Sequence, residues 1–212
     1  MHDGGVQDLI DAWATLLSRH TDNPAAAAVG RALVASWEEP HRRYHSVEHL
    51  HDILGHVDEL AAFADDADAV RLAAWYHDAV YAGRPDDEEL SARRAELDLS
   101  RLGLQPQLVD EVARLIRLTI THEPATGDHN GEVLSDADLA ALAVPRDRYV
   151  RNTAAIRAEY DHVPGDAFRR GRVQVLVALL GGAGVFRTEY ARREWEASAQ
   201  GNLRAELATL TE

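Results

Sequence analysis

Apolar residues in this chain recur at three- and four-residue intervals almost everywhere, and runs of alternating β-branched residues are nearly absent. Such spacing lines one face of a helix, whereas a half-buried strand needs strict alternation. The pattern predicts an all-α domain with helices over about 7–20, 25–37, 46–63, 68–82, 87–101, 106–121, 136–143, 146–162, 165–180 and 189–210. Punctuation agrees with these limits, since Pro24, Pro40, Pro85, Pro106, Pro145 and Pro164 all sit where a segment should stop or start. The stretch from His122 to Leu134, with Pro124, Gly127 and Gly131, lacks a pattern and reads as a loop, either functional or an ordinary surface connection. Gly181-Gly182-Ala183-Gly184 follows a helix rather than a strand and has no Lys-Ser/Thr after it, so it reads as a helix stop and turn rather than a phosphate cradle.

With 212 residues, 46% of them hydrophobic, the chain has enough apolar mass for one globular domain. Thirty-six acidic against 22 basic side chains give a net charge of -14, which argues against an extended nucleic-acid surface but allows a nucleotide in a local basic pocket. Having no cysteine excludes disulfides, thiolate nucleophiles and cysteine-rich structural zinc sites, leaving His, Asp and Glu as metal ligands. The start, Met1-His2-Asp3-Gly4-Gly5, lacks the basic region and apolar run of an export signal, and no stretch has the ~20 apolar residues that cross a bilayer. The expectation is a soluble, cytoplasmic protein without a membrane partner.

Eleven histidines fall partly into clusters with acidic residues. Arg42-Arg43-Tyr44-His45-Ser46-Val47-Glu48-His49-Leu50 is the first, Ala73-Ala74-Trp75-Tyr76-His77-Asp78-Ala79-Val80-Tyr81 the second, and Leu134-Ser135-Asp136-Ala137-Asp138-Leu139-Ala140-Ala141-Leu142 the third. Leu72, Ala73, Trp75, Tyr76, Ala79 and Val80 place His77-Asp78 in or beside a buried helix face, where an unpartnered carboxylate is costly. A divalent cation would neutralise Asp78 and take a ring nitrogen of His77. The alternative is a neutral core histidine hydrogen-bonded to Asp78 at the rim.

A His on one helix, a His-Asp pair on a later one and an Asp further on resemble the HD superfamily of metal-dependent phosphohydrolases, in its branch of about this length. The likeness runs from Tyr44-His45 and Glu48-His49 through the second and third clusters into Ile156-Arg157-Ala158-Glu159-Tyr160, Gly171-Arg172 and Asn202-Leu203. It implies a single HD-type helical bundle over 1–212, with a motif core at about 40–145 and C-terminal helices over 146–212 packed on it. His49 and His77 are 28 residues apart and Asp138 follows Asp78 by 60, room for each to come from a different helix. The implied metal ligands are His49, His77, Asp78 and one Asp of the third cluster. Ala137-Asp138 matches the family pattern and favours Asp138; Asp136 is the alternative, or else a helix N-cap. Residues two apart on a regular helix face different ways, so both should not bind one ion.

Two imidazoles and two carboxylates suit a divalent ion such as manganese, iron, magnesium, cobalt or nickel better than structural zinc. The ion would activate water, with Asp78 or a neighbouring acid taking a proton, and the substrate would be a phosphate ester, of a nucleotide or a related small metabolite. Arg43, Arg157 and Arg172 are candidates to face phosphoryl oxygens, or else surface ion-pair partners. His122 is a candidate catalytic residue, since the resembling family carries a His there, or a complement to a helix dipole. His45, Tyr44, Tyr76, Tyr81 and Glu88 are candidates for the substrate pocket, with core packing the other reading of the aromatics. The acidic run Asp86-Asp87-Glu88-Glu89 reads as a helix start or, less simply, a cation trap. His45-Ser46-Val47-Glu48-His49 fits the H-x-x-E-H string of inverted zinc proteases but leaves the other two clusters unexplained. The rivals to hydrolysis are a non-catalytic, metal-bearing module that binds a phosphorylated ligand, and the oxygenase or lyase chemistry also found in the superfamily.

Overall fold

The computed structural model describes residues 3–211. Among them are eleven α-helices and no strand: α1 (Asp3–Leu17), α2 (Ala26–Trp37), α3 (Val47–Leu60), α4 (Ala67–Tyr76), α5 (Asp87–Leu102), α6 (Pro106–Leu118), α7 (His129–Leu139), α8 (Arg146–Glu159), α9 (Gly165–Gly181), α10 (Glu189–Glu194) and α11 (Glu196–Thr211). Short 3₁₀ turns prolong α3 over Ala61–Phe63 and α7 over Ala140–Leu142. No helix of the described residues is long and apolar enough to cross a membrane.

Helix α4 lies at the centre, packed against α3, α5, α6 and α7. Its start is fixed by Asp66, whose carboxylate accepts from the amides of Asp68 and Ala69, both at 3.0 Å. Ala69, Val70 and every residue from Leu72 to Tyr76 are buried, the signature of a helix surrounded on nearly all sides. One core runs through α1 to α7 and includes Trp13, Trp37 and Trp75. Trp13 meets Trp75 edge-on at 5.2 Å and leaves no room at Gly30, where a Cβ would lie 2.3 Å from its ring. A smaller cluster, with Leu176, Phe186, Ala191 and Leu203, holds the C-terminal helices, and Trp195 packs against both.

Several limits differ from the sequence expectation. The segment expected at 136–143 begins as α7 at His129, inside the stretch read as a loop. Asp128 caps it by accepting from the Gly131 amide, and Gly131 signals close packing rather than a turn, since a Cβ there would lie 2.6 Å from the Leu118 side chain. The helix expected over 68–82 stops at Tyr76, and the one over 189–210 divides at Trp195. Gly181 does end α9, as its neighbours predict.

Candidate metal centre

Two arginines shape the turn that follows α4. This turn leaves buried carbonyls with no helical partner. Here the fully buried Arg42 side chain donates to the carbonyls of Asp78 at 2.8 Å and His45 at 3.0 Å, and Arg94 donates to that of Ala79 at 3.1 Å. Arg42 also lies over Trp37, its guanidinium carbon 5.3 Å from the ring centroid. Arg42 thus ties the loop bearing His45 to the turn bearing His77 and Asp78. It sits beside Arg43 in sequence, and nothing in the sequence separates their roles.

His77 is the residue after α4, and its Nδ1 donates to the Ala74 carbonyl at 2.8 Å. In the neutral ring that leaves a lone pair on Nε2. Nε2 lies 3.3 Å from His49 Nε2, 3.2 Å from an Asp78 oxygen and 3.7 Å from an Asp138 oxygen. His49, on α3, places its own Nε2 3.2 Å from the same Asp138 oxygen. One ligand atom each of His49, His77 and Asp138 thus lie within 4.8 Å of one another, and the group could hold a metal ion. Asp78 stands at its edge, 3.9 Å from His49 Nε2. The donor set fits a cation on chemical grounds: lone pairs and two carboxylates converge in a buried place and need positive charge between them.

The same convergence governs titration. Burial alone would lower the His77 pKa, but the facing carboxylates of Asp78 and Asp138 outweigh it and raise it to about 9. Burial would likewise raise Asp78 and Asp138, yet the His77 charge for the first and hydrogen bonds from His122 and His49 for the second hold both well below the ordinary aspartate range. Tyr44 is pushed far up, by burial and then by Asp138 and Asp78.

His122 reaches the cluster from behind. Its Nε2 donates to the second Asp138 oxygen at 2.8 Å and so orients the carboxylate. To do so the residue adopts φ = 53°, a left-handed backbone that costs a non-glycine residue about 1 kcal/mol or more. His122 therefore acts on Asp138 rather than complementing a helix dipole.

On the open side stand Tyr44, His45 and Tyr81. The His45 ring stacks on Tyr81 at 4.2 Å and lies 5.8 Å from the His49 ring. Their anchor is Glu159, which lies in the Ile156–Tyr160 run of the resemblance but to which the sequence assigns no site role. One of its oxygens accepts from the amides of Arg43, Tyr44 and His45 at 2.7, 2.8 and 3.0 Å. The other accepts from His45 Nδ1 at 2.6 Å and the Tyr81 hydroxyl at 3.1 Å. Only its distance from Arg43 along the chain hid it: a lone Glu near a helix end carries no local signal.

Burial would raise the Glu159 pKa, but the His45 ring and the amides of Arg43 and Tyr44 lower it from the ordinary 4.5 to about 2. A depressed carboxyl contributes stability that is complete above its unfolded value and is lost as pH falls through the folded one. Glu159→Gln should therefore flatten acid denaturation between pH 4.5 and about 2, a window worth on the order of 3 kcal/mol, in urea titrations at stepped pH.

Other expected site residues lie elsewhere. Asp136 is neither a ligand nor the cap of its own helix: its oxygens accept from the amides of Arg187 and Thr188 at 2.8 and 2.7 Å, just before α10. Tyr76 precedes His77 by about 100° of helical rotation and points into the core, beside Trp13, with its hydroxyl on Asp98. Arg157 is spent on the carbonyls of Tyr160 and Val163, with its guanidinium over Phe168. Arg172 is gripped by both oxygens of Glu206, at 2.8 and 2.9 Å, and reaches Tyr44 only as a charge that partly offsets the upward shift. The acidic run starts α5 rather than trapping a cation: Asp87 accepts from the amides of Ala82 and Arg84, and Glu89 pairs with Arg117. Glu88 contributes no atom to the ligand group, though partial burial, then Asp78 and Asp87, raise its pKa. The protease string is not assembled, because the Glu48 side chain is 81% exposed and pairs with Arg148. Arg43 lines a pocket next to His49 and Tyr44. Comparison with protein-family models finds no match, and neither do comparisons with curated proteins or with solved structures.

Proposed function

We propose that this protein hydrolyses a phosphate ester, with a divalent cation held by His49, His77 and Asp138. The observation that carries the reading is the convergence of those three ligand atoms, from α3, the end of α4 and α7, with Asp78 alongside. The resemblance to the HD phosphohydrolases, noted on the same residues, supports it. A cation bound there would supply Lewis-acid activation of water and of a phosphoryl oxygen.

The chain's own groups supply the rest. Hydrolysis joins the oxygen of water to phosphorus, breaks the ester P–O bond and moves one proton from the water to the departing alcohol. Asp78, at the edge of the ligand group and 15% exposed, is placed to take the proton. Glu159 accepts from the His45 Nδ1–H, so it is in the doubly protonated ring that Nε2–H would deliver a proton to the leaving oxygen. Of the arginines on the wall beside His49, Arg148 is paired with Glu48 and Asp52 and Arg151 with Asp147, which leaves the Arg43 guanidinium as the positive group free to meet a phosphoryl oxygen.

Chelator-treated protein should show no hydrolysis of a generic aryl phosphate and regain it on addition of manganese or nickel. Metal bound without turnover of any member of a broad phosphate-ester panel would reject catalysis in favour of a non-catalytic module that binds a phosphorylated ligand.

A further inference from the structure

A pocket of about 230 Å³ lies between the start of α3 and α8, with His49 and Tyr44 in its wall. We propose, building on the phosphohydrolase reading, that this pocket seats the alcohol portion of the substrate and selects a small polyhydroxylated one. The preferred class is a sugar phosphate or polyol phosphate rather than a nucleotide.

The chemistry of the wall carries the argument. Sites for larger organic ligands are mostly apolar and run to ~300–1,000 Å³, whereas this one is smaller and has Ala155 as its one aliphatic side chain. A nucleobase needs a flat aromatic or apolar face to stack on. Tyr44 is the only phenyl-type ring available, and it is taken: it leans on the His49 ring at 5.1 Å and meets His45 edge-on at 4.8 Å.

Hydroxyl groups, by contrast, both donate and accept, and the wall offers both kinds of partner. Asp52 and Glu48 accept; Arg148, which pairs with both, presents a braced guanidinium. Besides Arg43, which faces the phosphoryl group, two more polar groups on the wall have no side-chain hydrogen bond to another described residue: the Asn152 amide and the Ser46 hydroxyl, which leaves α3 uncapped. A site with polar groups waiting for substrate hydroxyls discriminates strongly against ligands that lack them.

The test compares kcat/KM of manganese-loaded protein for ribose 5-phosphate, glycerol 3-phosphate and AMP. At least one of the first two should exceed AMP by about tenfold or more, and Asn152→Ala should lower the ratio of ribose 5-phosphate to aryl phosphate kcat/KM by about tenfold. Asn152 makes no native side-chain bond to lose, so this variant keeps its fold even if Asp52→Ala, the companion change, loosens α8. AMP equal to or better than both, or an unchanged ratio in both variants, overturns the proposal. Should no ester be hydrolysed, the phosphohydrolase reading falls separately. The same comparison is then made as Kd by calorimetry on that protein, where preference for the sugar or polyol phosphate upholds the pocket and absence of binding rejects it.

Discussion

His77→Ala should strip the protein of its metal. The variant removes one of the three converging ligand atoms and leaves His49 and Asp138 to hold an ion alone. Loss of a group that merely orients a ligand costs ~10–100-fold in metal affinity, so loss of a ligand should exceed that range. His122→Ala provides the scale, because His122 only orients Asp138 and should fall within the range. Metal content after dialysis, with affinity from competition against a chelator, reads both. Retention of the ion by His77→Ala would reject the assignment. The wild-type site should also bind more weakly as pH falls: without the ion, His77 keeps a proton up to about pH 9, and the metal must displace it. Affinity should therefore drop by up to about tenfold per pH unit below that value.

Asp138→Ala and Asp136→Ala should fail in opposite ways. The first removes a ligand whose oxygens face His49 and His122, so metal affinity collapses while the helices, held by the apolar core, remain. The second leaves the metal in place but strands the amides of Arg187 and Thr188, both of which donate to Asp136. Amide bonds to a buried carboxylate are worth enough together that Asp136→Ala should cost about 3 kcal/mol, or roughly 6–12 °C in Tm for a domain of this size. Metal titration and thermal melts of the two proteins side by side check both halves. Equal metal loss in the two would mean that α7 presents both carboxylates to one ion.

Asp136 and Asp138 also show where sequence reasoning stops. Their spacing excludes a shared ion on regular helix, but it does not say which face of α7 meets α3 and α4. That depends on where α7 begins, and the sequence hid its start: Asn130 and Gly131 look like loop residues, while in the fold they are buried against α6 and its neighbours. Tyr76 is the converse case. Beside His77 in sequence, it resembles a pocket residue, yet one residue of helical rotation turns it toward Trp13. Arg157 and Arg172 illustrate a third limit, since an arginine's partner lies within reach of a long side chain but anywhere along the chain.

The all-helical class, the breaks at most prolines and the pairing of His77 with Asp78 in an apolar setting were all present in the linear order. They rest on local physics: the period of apolar residues, the fixed φ of proline and the cost of burying a charge. The resemblance favoured Asp138 and the fold does turn it, rather than Asp136, toward the histidines; the tertiary structure alone decided that Arg42 clamps the turn after α4 and that Glu159 reaches across 114 residues to hold His45. Each of these depends on how packed helices bring distant residues into contact, and a residue's neighbours along the chain carry no record of its neighbours in space.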